Sequence, residues 1–428
     1  TIVLLALIPV SCFWPASPQV SALATHPFLK LPGASFEQPT PADPEVSAEP
    51  PSMKSISGLG KRIDCRDRVD PLPSGNIVLV VLESTADQYV FADGQWRFPN
   101  LRRMAGHGVR FDHYYSPAGT SNPALYAILM GRHPIPADSW WTTPDDRSSH
   151  SLPTLLANRG YACGFFMSGC FRYFFDEKLY RGMKWDTCLD GDELARLHAI
   201  AAEDRDPDGH CIDDAVLMKH VVDWVDRQSK MNHPWMTVVY PGVPHGPYDF
   251  HSRGPHAMHK NDSLTPIQQY DNQLAYVDVQ LGLLYDSLVR NDFFKSGVLL
   301  VTGDHGEAFG QHAGNFLHGT QAYEENLRVP LLLVRPGHVR AGPCANPGSH
   351  VDLSQTLLGL TGNPCPPTSV TADLLAPSGP EMTFLSAAHD SVKLAVVDGP
   401  FQCIYFTKTG ESELSRLDDD PAETRAPA

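Results

Sequence analysis

The stretch Asn76-Ile77-Val78-Leu79-Val80-Val81-Leu82, followed at once by Glu83-Ser84-Thr85, decides the fold. Six consecutive apolar side chains fit neither the alternation of a half-exposed strand nor the spacing of an amphipathic helix. Such a run is a strand buried on both faces, the environment of a central strand in a parallel sheet. It ends abruptly in an acid and two hydroxyls.

Outward from this strand, similar runs recur. Val109 to Tyr115, Tyr161 to Met167, Trp235 to Tyr240, Val298 to Thr302 and Val329 to Val334 all read as strands. Between them, Phe98 to Gly108, Ala124 to Met130 behind Pro123, Leu152 to Arg159, Ile212 to Arg227 and Ile267 to Val289 read as helices. Strands alternating with helices predict an α/β fold: a mostly parallel central sheet with helices on both faces. We expect the main domain over residues 75–365 and a small C-terminal α+β subdomain over 366–428 that completes the fold.

Upstream of the first strand the composition changes. Residues Ile2 to Trp14 are nearly all apolar, shorter than the roughly 20 residues a spanning helix needs. Residues 1–24 read as a signal-peptide tail, with Ala22-Leu23-Ala24 as a cleavage site, or as the remnant of a membrane anchor. Twelve of the 38 prolines precede residue 75, so residues 25–74 read as an extended linker. An apolar stub and a tether suit a catalytic domain held outside a membrane. Nine cysteines without a CxxC pair disfavour a zinc ribbon; disulfides and buried free thiols both remain open. The formal charge is −16, so nucleic acid is not expected as a partner.

In a doubly covered parallel sheet, ligands sit beyond the carboxyl ends of the strands. Four strands deliver chemistry to that rim. They place Glu83-Ser84-Thr85, Thr120-Ser121-Asn122-Pro123, Val243-Pro244-His245-Gly246-Pro247-Tyr248 and Gly303-Asp304-His305-Gly306-Glu307 there. Glu83, Asp304 and His305 are hard-to-borderline metal ligands. Ser121 stands ahead of a helix, where unpaired N–H groups favour an anion. Singly, each has an ordinary reading: a strand-end acid, a turn cap, a core histidine, a helix N-cap. Their convergence on one rim favours a site in which a metal activates a hydroxyl nucleophile.

These segments resemble the sulfatase and alkaline phosphatase superfamily. Ser121-Asn122-Pro123-Ala124-Leu125-Tyr126-Ala127-Ile128-Leu129-Met130-Gly131 follows the spacing of the sulfatase nucleophile signature. Thr302 to His312 (TGDHGEAFGQH) is similar to the family's second metal segment, and Val243 to Tyr248 to its catalytic histidine segment. Tyr323 to Leu333, Ser349 to Gly362 and Glu413 to Thr424 resemble later landmarks, so the likeness covers residues 75–428. It implies an alkaline-phosphatase-like fold and one divalent metal ion. The sequence departs from sulfatases in instructive places. Leu125 stands where conversion of the nucleophile to formylglycine depends on an Arg, Glu83-Ser84 replaces a pair of aspartates, and His318 replaces a Lys. These changes resemble the phospho-transferring branch that includes lipoteichoic-acid synthases and lipid A phosphoethanolamine transferases.

The resemblance implies metal ligation by Glu83, Ser121, Asp304 and His305, and catalysis by Ser121, His245 and His318. A Glu, an Asp, a His and a Ser oxygen suit Zn or Mn better than Ca or Mg. Thr120 is a rival nucleophile, and His312 a further candidate. His350 and Asp352 read as structural, and Glu324 and Glu325 as partners of Arg328 or solvent. Trp140-Trp141 could line the mouth or pack beneath a loop. The expected function is an extracytoplasmic enzyme, membrane-anchored or secreted, that cleaves or transfers a phospho group. The expected substrate is an ester, with a lipid head group or a glycan in view, and the membrane contact is the N-terminal segment. A sulfate-ester hydrolase with a modified Ser121, and a non-catalytic binding domain of the same fold, are the alternatives.

Overall fold

A computed structural model describes residues 62–135, 150–201, 205–206, 209–364, 371–379, 381–389, 391–418 and 423. The expectations for residues 1–61, for Cys12 and Cys365, for Trp140-Trp141 and for much of the final tail fall outside them.

The central sheet has eight strands: β1 (Asn76–Leu82), β2 (Gly108–Tyr115), β3 (Ala162–Met167), β4 (Thr187–Leu189), β5 (Trp235–Tyr240), β6 (Gly297–Gly303), β7 (Leu331–Val334) and β8 (Gly342–Ser349). Their spatial order is β8-β2-β7-β6-β1-β5-β3-β4, which puts β1 in the interior. All pairings are parallel except those of β7, which runs antiparallel to both β6 and β2. The sheet is therefore mixed, by one strand.

The apolar run of β1 is explained by its two faces. Ile77, Leu79 and Val81 join one core cluster, with Leu125, Ile128 and Leu129 of α2 (Ser121–Met130), Leu152 and Leu156 of α3 (Leu152–Ala157) and Leu357 of α6 (His350–Leu360). Val78, Val80 and Leu82 join the other. There they meet Leu101 of α1 (Pro99–Ala105), Val221 of α4 (Asp214–Gln228) and Leu281 of α5 (Pro266–Arg290). Each such side chain contributes about 1.5–3 kcal/mol by leaving water, so a polar substitution on either face of β1 would be costly.

Most element boundaries lie close to the expected ones. Helix α2 is an instructive exception, since it starts at Ser121 and not after Pro123. Proline is tolerated in a first turn, where its missing N–H has no intrahelical acceptor to satisfy. Ser121 thus becomes the first helical residue, with Thr120 as its N-cap. Strand β8 was not expected, because Pro343 and Pro347 interrupt its sequence. It lies at the sheet edge with a register shift between Cys344 and Pro347, where prolines cost no ladder bond.

Beyond α6 the chain forms a separate antiparallel sheet of four strands: β9 (Met382–Ala387), β10 (Lys393–Asp398), β11 (Phe401–Phe406) and β12 (Ser412–Arg416). Among the described residues no helix is long and apolar enough to cross a membrane. The seven described cysteines, Cys65, Cys163, Cys170, Cys188, Cys211, Cys344 and Cys403, are free thiols.

The linker expectation for residues 25–74 needs correction at its end. From Arg62 onward the chain packs on the body: Cys65, Val69 and Leu72 enter the core. Arg62 is buried and donates to the carbonyls of Pro347 (2.6 Å), Asp373 (2.9 Å) and Ala376 (3.3 Å). Proline content alone masked this, because Pro71 and Pro73 belong to the tight entry into β1 and not to a tether. Arg62→Ala would remove a donor from three carbonyls; Asp373 and Ala376 keep the Ala376 N–H (3.0 Å) and Asn346 Nδ2 (3.5 Å), whereas the buried Pro347 carbonyl loses the Arg62 bond. The substitution is expected to lower unfolding stability by about 3 kcal/mol, read from urea denaturation; an unchanged midpoint would show that this segment does not stabilise the fold.

Candidate active site

Strands β1 and β6 pair in parallel register, with Leu82 opposite Gly303. The residues that follow them, Glu83 and Asp304, therefore emerge side by side. The approach is close: a Cβ on Gly303 would stand 2.1 Å from the Thr85 carbonyl oxygen, so only glycine fits. Ser84 adopts a left-handed backbone (φ 49°), strain of the kind that collects at functional sites. Its N–H donates to Asp304 Oδ1 at 2.8 Å and its hydroxyl to Glu83 Oε1 at 2.8 Å.

Glu83, Asp304 and His305 are wholly buried, and one ligand atom from each lies within 4.8 Å of the others. His305 Nδ1 faces the Gly306 carbonyl at 2.9 Å, which assigns it the proton and turns Nε2 inward. Nε2 stands 3.2 Å from Asp304 Oδ2 and 3.6 Å from Glu83 Oε1. Tyr240, the last residue of β5, donates to Glu83 Oε2 at 2.7 Å and also contacts Asp304 Oδ2. One phenolic proton cannot neutralise two buried carboxylates. Burial, and then Glu83, push the Asp304 carboxyl well above its ordinary range. Burial raises Glu83 too, but His305, His245, His318 and Tyr240 outweigh it and hold Glu83 below its ordinary value. Two carboxylates and an inward imidazole with too few protons between them form a donor set that fits a divalent cation.

Ser121 completes the group. Its Oγ lies 3.2 Å from Glu83 Oε2 and 3.2 Å from His305 Nε2. The N-terminus of the buried helix α2 adds unpaired N–H groups beside it. Thr120 instead packs close to Gly319, where an added Cβ would come within 2.8 Å of Thr120 Cγ2.

Two further histidines line the rim. His245 follows β5, and its Nδ1 faces the Gly246 carbonyl at 2.8 Å. His318 follows a short hairpin (Ala308–Phe309 with Phe316–Leu317), and its Nδ1 meets Glu307 Oε2 at 2.9 Å. The rings of His305 and His318 are 4.4 Å apart, and those of His318 and His245 are 5.8 Å apart. The structure thus brings Glu83, Ser121, His245, Asp304, His305 and His318 together.

His312 does not join them. Its Nδ1 pairs with Glu325 Oε1 at 2.7 Å, and its ring stacks on Tyr323 at 3.6 Å, so it belongs to the contact beneath the C-terminal sheet. Glu324 pairs with Arg328 at 2.8 Å as expected, whereas Glu325 pairs with His312 and Asn315. Asp352 caps the N-terminus of α6 through the Ser349 N–H. His350 has a closer link to the site than a purely structural reading implies: its Nε2 meets the Asp304 carbonyl at 2.7 Å, and Tyr114 holds its Nδ1 at 3.0 Å.

Sequence reasoning missed Tyr240 and Glu307. Tyr240 gave one signal, a polar tip ending an apolar strand just before the rim. Glu307 lay inside a quoted segment, but nothing local distinguished a wholly buried acid from a solvated one.

The model of the family described as Sulfatase matches residues 75–363. The chain is 25% identical over 333 residues to the N-acetylgalactosamine-6-sulfatase of Sus scrofa, covering 67% of this chain and 62% of that protein. This chain thus spans under two thirds of the length of that relative. It is 22% identical over 422 residues to the choline-sulfatase of Rhizobium meliloti (strain 1021), with 81% of each covered. Among solved structures, an alkaline phosphatase superfamily protein from Vibrio parahaemolyticus superposes with a TM-score of 0.68 at 17% identity, covering 86% of this chain and 88% of that one. The lipoteichoic acid synthase LtaP from Listeria monocytogenes superposes with a TM-score of 0.61 at 18% identity, covering 83% and 92%. With a family model spanning the whole central sheet and all the rim segments that meet at Glu83, Ser121 and Asp304, the chain belongs to the sulfatase family, and it shares its fold with the alkaline phosphatase superfamily protein.

Proposed function

We propose that this chain is an extracytoplasmic, metal-dependent enzyme that cleaves or transfers a phospho group through a covalent intermediate on Ser121. The observation that carries the reading is the position of Ser121 Oγ, 3.2 Å from both Glu83 Oε2 and His305 Nε2 at the start of a buried helix. Leu125 supports an unmodified hydroxyl. It lies wholly buried in the core, so no cationic side chain of α2 reaches the nucleophile from that position.

Glu83, Asp304 and His305 would hold one divalent ion, with Ser121 Oγ as a further ligand and Zn or Mn favoured over Ca or Mg. When bound, such an ion supplies positive charge that lowers the pKa of a nearby hydroxyl and offsets charge on the ester. The other roles fall to side chains. Ser121 Oγ attacks phosphorus in line, and its proton leaves to water at the open side of the rim. The Oγ–P bond forms as the bond from phosphorus to the leaving oxygen breaks. His245 and His318 hold the non-bridging oxygens, and one of them protonates the leaving alkoxide. Water, or an acceptor alcohol in a transferase, then takes the group from Ser121. Glu307 fixes the His318 tautomer, so that Nε2 faces the reacting centre.

A sulfate-ester hydrolase is the second reading, supported by the relatives named as sulfatases. It requires conversion of Ser121 to formylglycine without the usual Arg. Mass spectrometry of the peptide spanning residues 116–132 tests this directly. An unmodified serine that becomes a phosphoserine with a phosphodiester supports the proposal; formylglycine at 121 overturns it. Nitrophenyl phosphate, a bis-nitrophenyl phosphodiester and nitrophenyl sulfate serve as the substrate panel. No bound metal and no turnover on any of them would favour a binding domain.

Ser121→Ala is expected to lower kcat by at least about 1,000-fold, whereas Thr120→Ala keeps most of it; the reverse order would make Thr120 the nucleophile. Asp304→Ala is expected to weaken metal affinity by about 100-fold or more, measured by titration with Zn and Mn; retained affinity would move the metal elsewhere. Glu307→Ala is expected to lower kcat by about 10–100-fold with metal content kept, and Glu307→Gln, which keeps an acceptor, by less.

A further inference from the structure

We propose that Asp214 is a positioning residue for the reaction: from beneath the rim it holds the turn that carries His245. The inference rests on the assignment of His245 to the reacting centre made above.

Asp214 is the first residue of α4 and is wholly buried. Its carboxylate joins the ends of two strands. Ser168, just past β3, donates its hydroxyl to Oδ1 at 2.5 Å. Past β5, the Gly242 N–H donates to Oδ1 at 3.1 Å and the Val243 N–H to Oδ2 at 3.3 Å. Ser168 Oγ also accepts from the Gly242 N–H at 2.8 Å. The turn has no slack. A Cβ on Gly242 would stand 2.9 Å from Cys211 Sγ and 3.2 Å from Ser168 Oγ. The same Gly242 accepts the His245 N–H at 3.2 Å, which closes the turn. The His245 ring is then held through Nδ1 to the Gly246 carbonyl at 2.8 Å, beside the ring of His318. A shift at Gly242 is therefore transmitted to His245 Nε2, and an imidazole misplaced by about 1 Å loses much of its catalytic value.

Three donors converge on Asp214, and the ionised carboxylate, an acceptor at every lone pair, is the form that holds all three most strongly. Among the described residues, the ionisable groups that interact with it are Asp213 beside it, Cys211 in the preceding loop and Tyr276 of α5, with His251 behind them, 3.2 Å from Asp213 Oδ2 and stacked on Tyr276. Burial, aided by Asp213, pushes the carboxyl up to about 7 against the hydrogen bonds from Ser168, Gly242 and Val243. Protonation removes the charge that strengthens these bonds, and the turn loosens. Turnover should fall as pH drops through about 7. Stability should run the other way. A folded pKa above the unfolded one gives a contribution that is complete below the unfolded value and lost as pH rises toward 7. The form that holds the turn is thus the less stable one.

The test is steady-state kinetics of the metal-loaded enzyme on bis-nitrophenyl phosphate or nitrophenyl sulfate, whichever it turns over. It compares Asp214→Asn, Ser168→Ala, His245→Ala and the doubles with His245→Ala. Asn at 214 would set an NH2 against the Val243 or Gly242 N–H. We expect Asp214→Asn to lower kcat about ten-fold or more with KM and metal content little changed. The acid limb near pH 7 should vanish, and the double variant should be no slower than His245→Ala alone. Wild-type turnover by Asp214→Asn, or losses that multiply in the double, would overturn the proposal. If Asp214→Asn does not fold, Ser168→Ala decides. A drop of about three-fold that disappears in the His245→Ala background supports the proposal, and full activity or an additive loss defeats it. Full turnover by His245→Ala would refute the assignment of His245 itself, a result distinct from additivity at Asp214.

Discussion

Glu83 and Asp304 are two carboxylates forced together out of water, and most of the architecture around them follows from that enforced proximity. Parallel register between β1 and β6 sets their spacing, and glycine at 303 lets the strand ends touch. Left alone, such a pair would keep a proton or refuse to fold around two charges. The surroundings instead collect partial positive charge: the Tyr240 hydroxyl, the Ser84 and His305 N–H groups, and three imidazoles within reach. The resulting donor set fits a divalent cation.

The supporting groups repeat one device. His305 and His245 are each oriented by the carbonyl of the next residue, whereas His318 is oriented by the buried acid Glu307. Asp214 and His350 stand one layer deeper, the first under the His245 turn and the second under the Asp304 carbonyl. Side chains near the rim are thus held by polar groups that lie beneath it. Such groups are expensive to bury and costly to leave unpaired, which makes the rim rigid.

Much of this was legible in the sequence because parallel strands announce themselves. The runs at 76–82 and 297–303 have no polar face, and the polar residues that follow them must lie at the carboxyl edge. Glu83, Ser121, Asp304, His305, His245 and His318 stand out by that logic together with the family spacing, and the structure places them side by side. The logic failed where sequence distance and spatial distance part. Asp214 opens an amphipathic helix and looks like an ordinary first-turn acid. Residues 62–74 look like the end of a linker, because the carbonyls that receive Arg62 lie some 285–314 positions away. His312 sits in a metal-like segment, yet the hairpin turns it toward Glu325. Only the closed fold shows which acids are buried together.

The single reversed strand, β7, has an effect on what the scaffold can vary. Because it runs against its neighbours, its amino end lies at the rim that carries Glu83 and Asp304, and the residues leading into it press on the Asp304-His305-Gly306 turn. Asn326 accepts the Gly306 N–H at 2.8 Å, and a Cβ on Gly306 would stand 2.0 Å from the Glu325 carbonyl. The next residues, Glu324 and Tyr323, touch the C-terminal sheet and its tail through Glu413 and Glu423. The reversed strand is therefore a mechanical link between two layers. Drift in the sequence of the outer sheet is felt at the Asp304-His305-Gly306 turn, so that sheet is free to diverge only along directions that leave the entry to β7 where it stands.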